Sequence, residues 1–340
     1  MNILLNGVGR IGKSILRILE SDDILHIVAI NELNTNIKNI AYSINYDSTY
    51  GKINDKYSYD EDSIFNSKNK IIILNQTLEN IDYSNIDIII DASGSKINKD
   101  ILNKLPVKAI FLTHPNKEAD INAILGVNEE KIKDKKIIST SSCNATALMP
   151  ILKDIDQKFG IQQGDIVTIH PLLNHQKTLD SNCVGSSDRE VKCNFEFGRS
   201  ATQNIIPSKT TTIEACSFVE AQFNHTLISS SSLRVPTPTV GVINLTIQTK
   251  GKITKEIVIE FIKELINTQK SKIYQLNNEE LVSSDFQSEE YTTIIDERYI
   301  QVIGENQLKL IIWYDNEYGY ASKVVDIIHY KLFCKYMLKS

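Results

Sequence analysis

No two of the five cysteines form a CxxC pair; they stand at 143, 183, 193, 216 and 334, odd in number and widely spaced. That argues against a zinc site or a disulfide framework, so reduced thiols in a cytoplasm and no bound metal are expected. Long hydrophobic runs are missing as well, and none reaches the ~18 residues of a membrane span. The chain opens on a strand and a glycine turn with no leader pattern, so no signal peptide is expected. A basic excess is lacking too: 37 Lys and Arg stand against 42 Asp and Glu, a net charge of −5. Nucleic acid and anionic membrane surfaces are therefore poor partners, and an anionic ligand needs a local positive pocket. There is no internal repeat, and the run from Ser229 to Ser232 is too short to be low complexity. What is present is 340 residues, 41% hydrophobic and 23% charged, ordinary for a soluble globular protein and long enough for two domains.

The apolar stretch Asn2 to Asn6 reads as a strand and is followed by Gly7-Val8-Gly9-Arg10-Ile11-Gly12. A helix from about Arg10 to Glu20 then places Ile11, Ile15, Leu16 and Leu19 on one face. GxGxxG is a weak signal alone, but strand before and helix after are the context in which a pyrophosphate approaches a helix N-terminus. A second strand, Ile24 to Asn31, ends at Glu32, 20 residues past Gly12. An acidic group there suits an adenosine ribose and repels a 2′-phosphate, pointing to NAD over NADP; the alternative is a surface loop carboxylate. Strands at 70–74, 86–92, 107–113 and 136–140, with a helix near 99–105 and a polar, tyrosine-rich stretch from Tyr46 to Lys68, complete a doubly wound α/β pattern. Asp91-Ala92-Ser93-Gly94 and Thr113-His114-Pro115 fall at strand C-terminal ends, where such sheets bind ligands.

The stretch Ser139-Thr140-Ser141-Ser142-Cys143-Asn144-Ala145-Thr146 joins a buried strand to a helix over 144–159. A cysteine there meets unpaired helical N–H groups and the positive end of the helix dipole, both of which favour a thiolate. A small buried core thiol is the other reading. His170, 27 residues on at the end of a strand over 165–172, is a candidate base for that thiol or a structural imidazole. Beyond it lie a long irregular segment to Arg199, the stretch 203–207, a helix near 212–219, strands at 227–236 and 241–250 around a Pro-rich turn, and a helix at 255–269. Strands near 291–296, 299–303 and 309–314 precede an amphipathic helix from about 318 to 339. Long alternating strands with few helices predict an α+β second domain with a mostly antiparallel sheet.

Several strings together resemble the glyceraldehyde-3-phosphate dehydrogenase family, in its order and over nearly the whole chain. They are 6–12, Tyr46-Asp47-Ser48-Thr49-Tyr50-Gly51, Gly126-Val127-Asn128, Ser142-Cys143, Thr168-Ile169-His170, 203–207, Arg234-Val235-Pro236-Thr237-Pro238 and the segment from Trp313 to Tyr320. The resemblance implies a Rossmann NAD-binding domain over 1–142, completed by the C-terminal helix 317–340, and a catalytic domain over 143–316. It implies that Cys143 attacks an aldehyde phosphate, that His170 holds the thiolate and then the oxyanion, and that inorganic phosphate cleaves the resulting thioester. By the same resemblance Gly7, Gly9, Arg10, Ile11, Gly12, Glu32, Ser93, Gly94, Thr113, Asn316 and Tyr320 hold NAD. Ser142, Asn144, Arg199, Thr210 and Arg234 hold substrate or phosphate, and the protein is a cytoplasmic homotetramer. A loop after His170 reaches toward a neighbouring cofactor site.

Three departures bear on specificity. The family's Cys-Thr-Thr-Asn reads Cys143-Asn144-Ala145-Thr146, and its Thr three residues past the catalytic His is Leu173. The segment between His170 and Arg199, with Cys183, Cys193 and Phe195, is also longer. Asn31-Glu32-Leu33, Thr113-His114-Pro115 and Leu173 resemble the sister erythrose-4-phosphate dehydrogenase, which releases its acyl group mainly to water; 313–320 resemble the glycolytic enzyme. A reading of another class, an NAD-binding relative with a regulatory role, is motivated by the altered phosphate residues and opposed by the presence of Cys143, His170, Arg234 and Asn316.

Overall fold

The computed structural model describes residues 1–182 and 195–333. The chain splits into two compact units, Met1–Ser142 with Glu317–Ser340, and Cys143–Asn316. The first unit is built on a nine-stranded sheet. In chain order it holds β1 (Asn2–Asn6), α1 (Arg10–Leu19), β2 (His26–Asn31), α2 (Ile37–Asn45), β3 (Tyr46–Asp47) and β4 (Gly51–Lys52). Then come β5 (Ser58–Tyr59), β6 (Ser63–Phe65), β7 (Lys70–Leu74), β8 (Ile88–Asp91), α3 (Lys99–Lys104), β9 (Ala109–Leu112), β10 (Ile121–Asn122) and β11 (Ile137–Ser139). The helix Tyr318–Phe333 closes it.

The sheet order is β10-β11-β9-β8-β1-β2-β7-β6-β5, parallel from β10 through β7. Its central strands are apolar on both faces: Ile3, Leu4, Leu5, Ile89 and Ile90 are fully buried. That is what a parallel sheet covered on two sides demands. Helix α1 lays Ile15, Leu16 and Leu19 inward, the face its spacing predicts. Helix α2 is an addition to the expected pattern. The Asn36 side chain caps it by accepting from the Asn39 amide, and Ile40, Ala41 and Ile44 are buried. The polar stretch after it is ordered by Asn45, whose side chain takes the Tyr57 amide and donates to the Tyr57 carbonyl, both at 2.8 Å.

The second unit holds α4 (Cys143–Phe159), β12 (Ile161–His170), β13 (Ile206–Ser208), α5 (Thr212–Val219), β14 (Ile228–Arg234), β15 (Gly241–Thr249) and α6 (Lys255–Thr268). Strands β16 (Tyr274–Asn277), β17 (Thr293–Asp296), β18 (Gln301–Ile303) and β19 (Gln307–Tyr314) complete it. Its sheet runs β13-β14-β12-β15-β19-β17-β16, with β18 paired to β19. Only β12·β14 and β16·β17 are parallel, so the sheet is mostly antiparallel. Strand β12 lies between β14 and β15, so the Pro-rich turn at 235–240 is a crossover and not a hairpin. The parallel pairing of β12 and β14 sets His170 beside Arg234 at the two C-terminal ends. Cys183 and Cys193 of the long segment, and the stretch 334–339 expected to end the last helix, lie outside the described residues. No helix among the described residues is long and apolar enough to cross a membrane.

Candidate active site

Cys143 is the first residue of α4, whose body is buried through Leu148, Met149, Ile151, Leu152 and Ile155. The helix thus begins one residue earlier than its periodicity suggested, and the sulfur sits in the first turn, where the helix dipole is most positive. The approach to it bends through Ser141, a non-glycine residue at φ 61°. Within the first unit, Ser139 Oγ accepts from the Ser141 amide at 3.1 Å, and the buried Tyr320 hydroxyl donates to the Ser141 carbonyl at 3.1 Å. Tyr320 also lies 2.8 Å from Thr140 Oγ1. Tyr320, expected at the cofactor, ties down this turn with its hydroxyl.

His170 ends β12, 5% exposed, with Nε2 3.8 Å from Cys143 Sγ. Its Nδ1 lies 3.0 Å from the Pro171 carbonyl, an acceptor only, so Nδ1 carries the proton and Nε2 the lone pair facing the sulfur. Burial, and then the Arg234 charge, push its pKa down to about 4 against the Pro171 bond, so the imidazole is neutral at pH 7. A neutral base facing a thiol can accept its proton.

Arg234 brings a charge with unused donors. Its Nε and Nη1 are buried and have no hydrogen-bond partner among the described residues. Burial pulls its pKa below the usual guanidinium value, opposed by Cys143 and Tyr314. The other residues expected at phosphate are placed differently. Thr210 Oγ1 is 2.6 Å from Thr212 Oγ1. The Asn144 Nδ2 donates to Thr212 Oγ1 at 3.0 Å, and its Oδ1 accepts from the Tyr314 hydroxyl at 2.5 Å. Arg199 donates to Asp180 at 3.0 Å in a largely exposed pair. Ser142 is half-buried beside the sulfur's residue. Leu173, in place of a hydroxyl, uses only its backbone, donating to Gln176 Oε1 at 2.8 Å.

Asn316 Oδ1 accepts from the Val240 amide at 3.0 Å and the Thr239 hydroxyl at 3.2 Å. That fixes the amide and leaves Nδ2 to donate, as recognition of a carboxamide oxygen needs.

The glycine turn of the first unit fits a dinucleotide. Gly7 has φ 95°, and a Cβ on it would meet Ser93 Cα at 2.6 Å; a Cβ on Gly12 would meet the Gly7 carbonyl at 2.2 Å. At Gly9 a Cβ would meet nothing within 4 Å. Two glycines close the turn, and the third opens a cradle at the N-terminus of α1, which has no side-chain cap and no acidic residue in its first turn. Glu32 Oε2 accepts the Val8 amide at 2.7 Å. Gly94, at φ 70°, follows Ser93, whose hydroxyl donates to Asp91 at 2.7 Å; Thr113 Oγ1 donates to the Asp91 carbonyl at 3.0 Å. Ile11 is half-buried in the first turn of α1.

The Arg10 side chain is engaged elsewhere. Its Nε reaches both Glu317 oxygens at 2.9 and 3.0 Å, Nη2 reaches Glu317 at 2.6 Å, and Nη1 pairs with Asp47. Burial opposes its charge, but these carboxylates raise its pKa further above the usual value. Sequence reasoning missed Thr212, Tyr314 and Asp47 as partners, because each meets its site only through tertiary contact.

Residues 142–316 match the family described as "Glyceraldehyde 3-phosphate dehydrogenase, C-terminal domain", and residues 1–99 match its "NAD binding domain". The chain is similar to the glyceraldehyde-3-phosphate dehydrogenase of Buchnera aphidicola subsp. Schizaphis graminum, 34% identical over 334 residues, covering 96% of this chain and 98% of the relative. It is 31% identical over 339 residues to glyceraldehyde-3-phosphate dehydrogenase 2 of Bacillus subtilis, covering 97% and 96%. With glyceraldehyde-3-phosphate dehydrogenase 3 of Saccharomyces cerevisiae it shares 32% over 337 residues, covering 97% and 98%.

Proposed function

The chain belongs to the glyceraldehyde-3-phosphate dehydrogenase family, and from that premise we propose that it oxidises glyceraldehyde 3-phosphate with NAD and delivers the acyl group to inorganic phosphate. The observation that carries this is the Cys143–His170–Arg234 cluster: a thiol 3.8 Å from a neutral imidazole, beside a guanidinium with two unpartnered buried donors.

The steps follow from those side chains. His170 Nε2 takes the thiol proton as Cys143 attacks the aldehyde carbon, giving a thiohemiacetal. The imidazolium then donates to the oxyanion that forms. NAD, held by the first unit, supplies the acceptor for the hydride when it is bound. Loss of that hydride leaves an acyl thioester on Cys143, and the Arg234 donors hold the phosphate that cleaves it to the acyl phosphate and the free thiol. Residues 317–340 complete the NAD-binding domain, and the protein acts as a cytoplasmic homotetramer with glyceraldehyde phosphate and inorganic phosphate as its small-molecule partners.

One observation favours the sister reaction on erythrose 4-phosphate with release to water: Leu173 offers no hydroxyl and the Asn144 donor is taken by Thr212. Turnover with both aldehyde phosphates, with and without inorganic phosphate, tests the choice. Phosphate-dependent turnover favouring the three-carbon substrate is expected. A phosphate-independent rate favouring the four-carbon sugar overturns it. Cys143→Ala abolishes dehydrogenation while NAD binding persists; unchanged turnover would remove Cys143 from the chemistry.

A further inference from the structure

Asn144 stands where the family carries a hydroxyl, and its buried amide has three neighbours. Tyr314 Oη donates to Oδ1, Nδ2 donates to Thr212 Oγ1, and Cys143 Sγ lies 3.5 Å from Oδ1. In this orientation the carbonyl accepts the S–H but repels a thiolate. Hydrogen bonding to the neutral form alone would hold the sulfur back from ionising.

The two other partners, however, are hydroxyls, and each can donate or accept. A half-turn of the amide therefore keeps both bonds. Nδ2 then donates to Tyr314 Oη, Thr212 donates to Oδ1, and the second N–H faces the sulfur. Thr212 can make that change because Thr210, 2.6 Å away, can take either side of their shared bond.

We propose that Asn144 is a positioning residue that matches its amide to the charge of Cys143, turning its carbonyl to the thiol at rest and its N–H to the thiolate once the proton has moved to His170 Nε2. The proposal rests on reading Cys143 as the nucleophile. The other ionisable groups facing the sulfur are His170 at the end of β12, Arg234 at the end of β14 and Tyr314 at the end of β19. Arg234 favours the thiolate whichever way the amide points. Tyr314 stays neutral, its ionisation pushed well above the usual range by burial and by the sulfur. Asn144 can change sign toward the sulfur without losing its two hydroxyl partners. A charge-assisted N–H bond to the thiolate is stronger than the S–H bond it replaces, so the net effect is a lower thiol pKa.

The test is the alkylation rate of Cys143 against pH, read by mass spectrometry on its own peptide so that the other cysteines do not contribute. The full-length native chain is compared with Asn144→Ala, Asn144→Asp and Asn144→Thr, with NAD binding as the sign that each is folded. Asn144→Ala is expected to raise the apparent thiol pKa by about one unit and slow alkylation at neutral pH by up to about tenfold. Asn144→Asp, which can only accept, raises it further. Asn144→Thr regains a donor and recovers part of the loss. An unchanged or lowered pKa in Asn144→Ala overturns the proposal; should that variant fail to fold, equal profiles for the Asp and Thr variants overturn it. Turnover keeps the two ideas apart. Activity in the native chain that Cys143→Ala abolishes leaves the nucleophile in place even where the Asn144 profiles are flat. A native chain that neither turns over nor alkylates at Cys143 removes both.

Discussion

Replacing Arg234 by Met should stabilise the protein and disable it. Arg234 Nε and Nη1 are buried without partners, and an unsatisfied buried donor costs about 1–3 kcal/mol. The charge adds its own desolvation penalty, of the kind that often makes an apolar substitute of similar volume the more stable choice. Met has similar length and fills irregular space. Allowing for hydration of a half-buried group, the gain is about 2 kcal/mol, or roughly 5 °C in the unfolding midpoint. The catalytic consequence has the opposite sign. Losing a bidentate charged partner for phosphate removes about 3 kcal/mol of binding, which is roughly a hundredfold rise in KM for inorganic phosphate. Thermal unfolding with and without inorganic phosphate, beside steady-state kinetics, measures both. Phosphate should raise the midpoint of the native chain, by about 2.7 kcal/mol at a hundred times its Kd, and leave the variant where it is. A variant less stable than the native chain, or one with an unchanged KM, would refute the view that the cluster holds its guanidinium unsatisfied for an anion.

His170 makes a pH prediction with a definite sign. Its folded pKa, about 4, lies below the ordinary 6.5 because of burial and then the Arg234 charge, so between those values the unfolded chain binds more protons. The stability it contributes is present above about 6.5 and lost as pH falls toward 4, about 3 kcal/mol in all. His170→Asn should flatten that part of the acid-unfolding curve and slow Cys143 alkylation at neutral pH; equal alkylation rates would assign the reactivity to the helix end instead. In the glycine turn, Gly9→Ala should leave the unfolding midpoint unchanged and weaken NAD binding, since its Cβ projects into open cradle. Gly12→Ala, with a Cβ 2.2 Å from the Gly7 carbonyl, should destabilise the first unit by several kcal/mol on the scale of about 1–3 for overpacking and more for a rigid backbone clash. Calorimetry with and without NAD separates the two, and similar midpoints for both would refute the division of roles.

Much of the architecture was legible because its strands are extreme in composition. The apolar runs of β1, β8 and β9 sit where their sequences predict, since runs of buried apolar residues suit few other places. Helix α2 was not legible in the same way. Its buried Ile40, Ala41 and Ile44 have helical spacing, but Asn and Ser around them have weak helix propensity and blur the period. The Asn36 cap was the usable signal. Partnerships across the fold were hidden altogether. Arg10 faces Glu317 from 307 residues away, and its side chain also meets Asp47, partners that its place in a glycine fingerprint does not announce.

The same distinction bears on the residues expected at phosphate. From its neighbours alone, Asn144 reads as a group that could donate through its amide where the family has a hydroxyl. Folding instead brings it Thr212, 68 residues on, and Tyr314, 170 residues on. An amide held between two hydroxyls can turn in place but cannot leave them to follow an incoming anion. On the proposed mechanism the burden of binding phosphate falls on Arg234, whose buried Nε and Nη1 have no partner among the described residues. That asymmetry separates the effects of substitution at the two positions: changes at Arg234 should act on KM, while changes at Asn144 should act on the ionisation of the sulfur and through it on kcat. A substitution at Asn144 that raised KM a hundredfold without moving the Cys143 pH profile would reverse this assignment of roles.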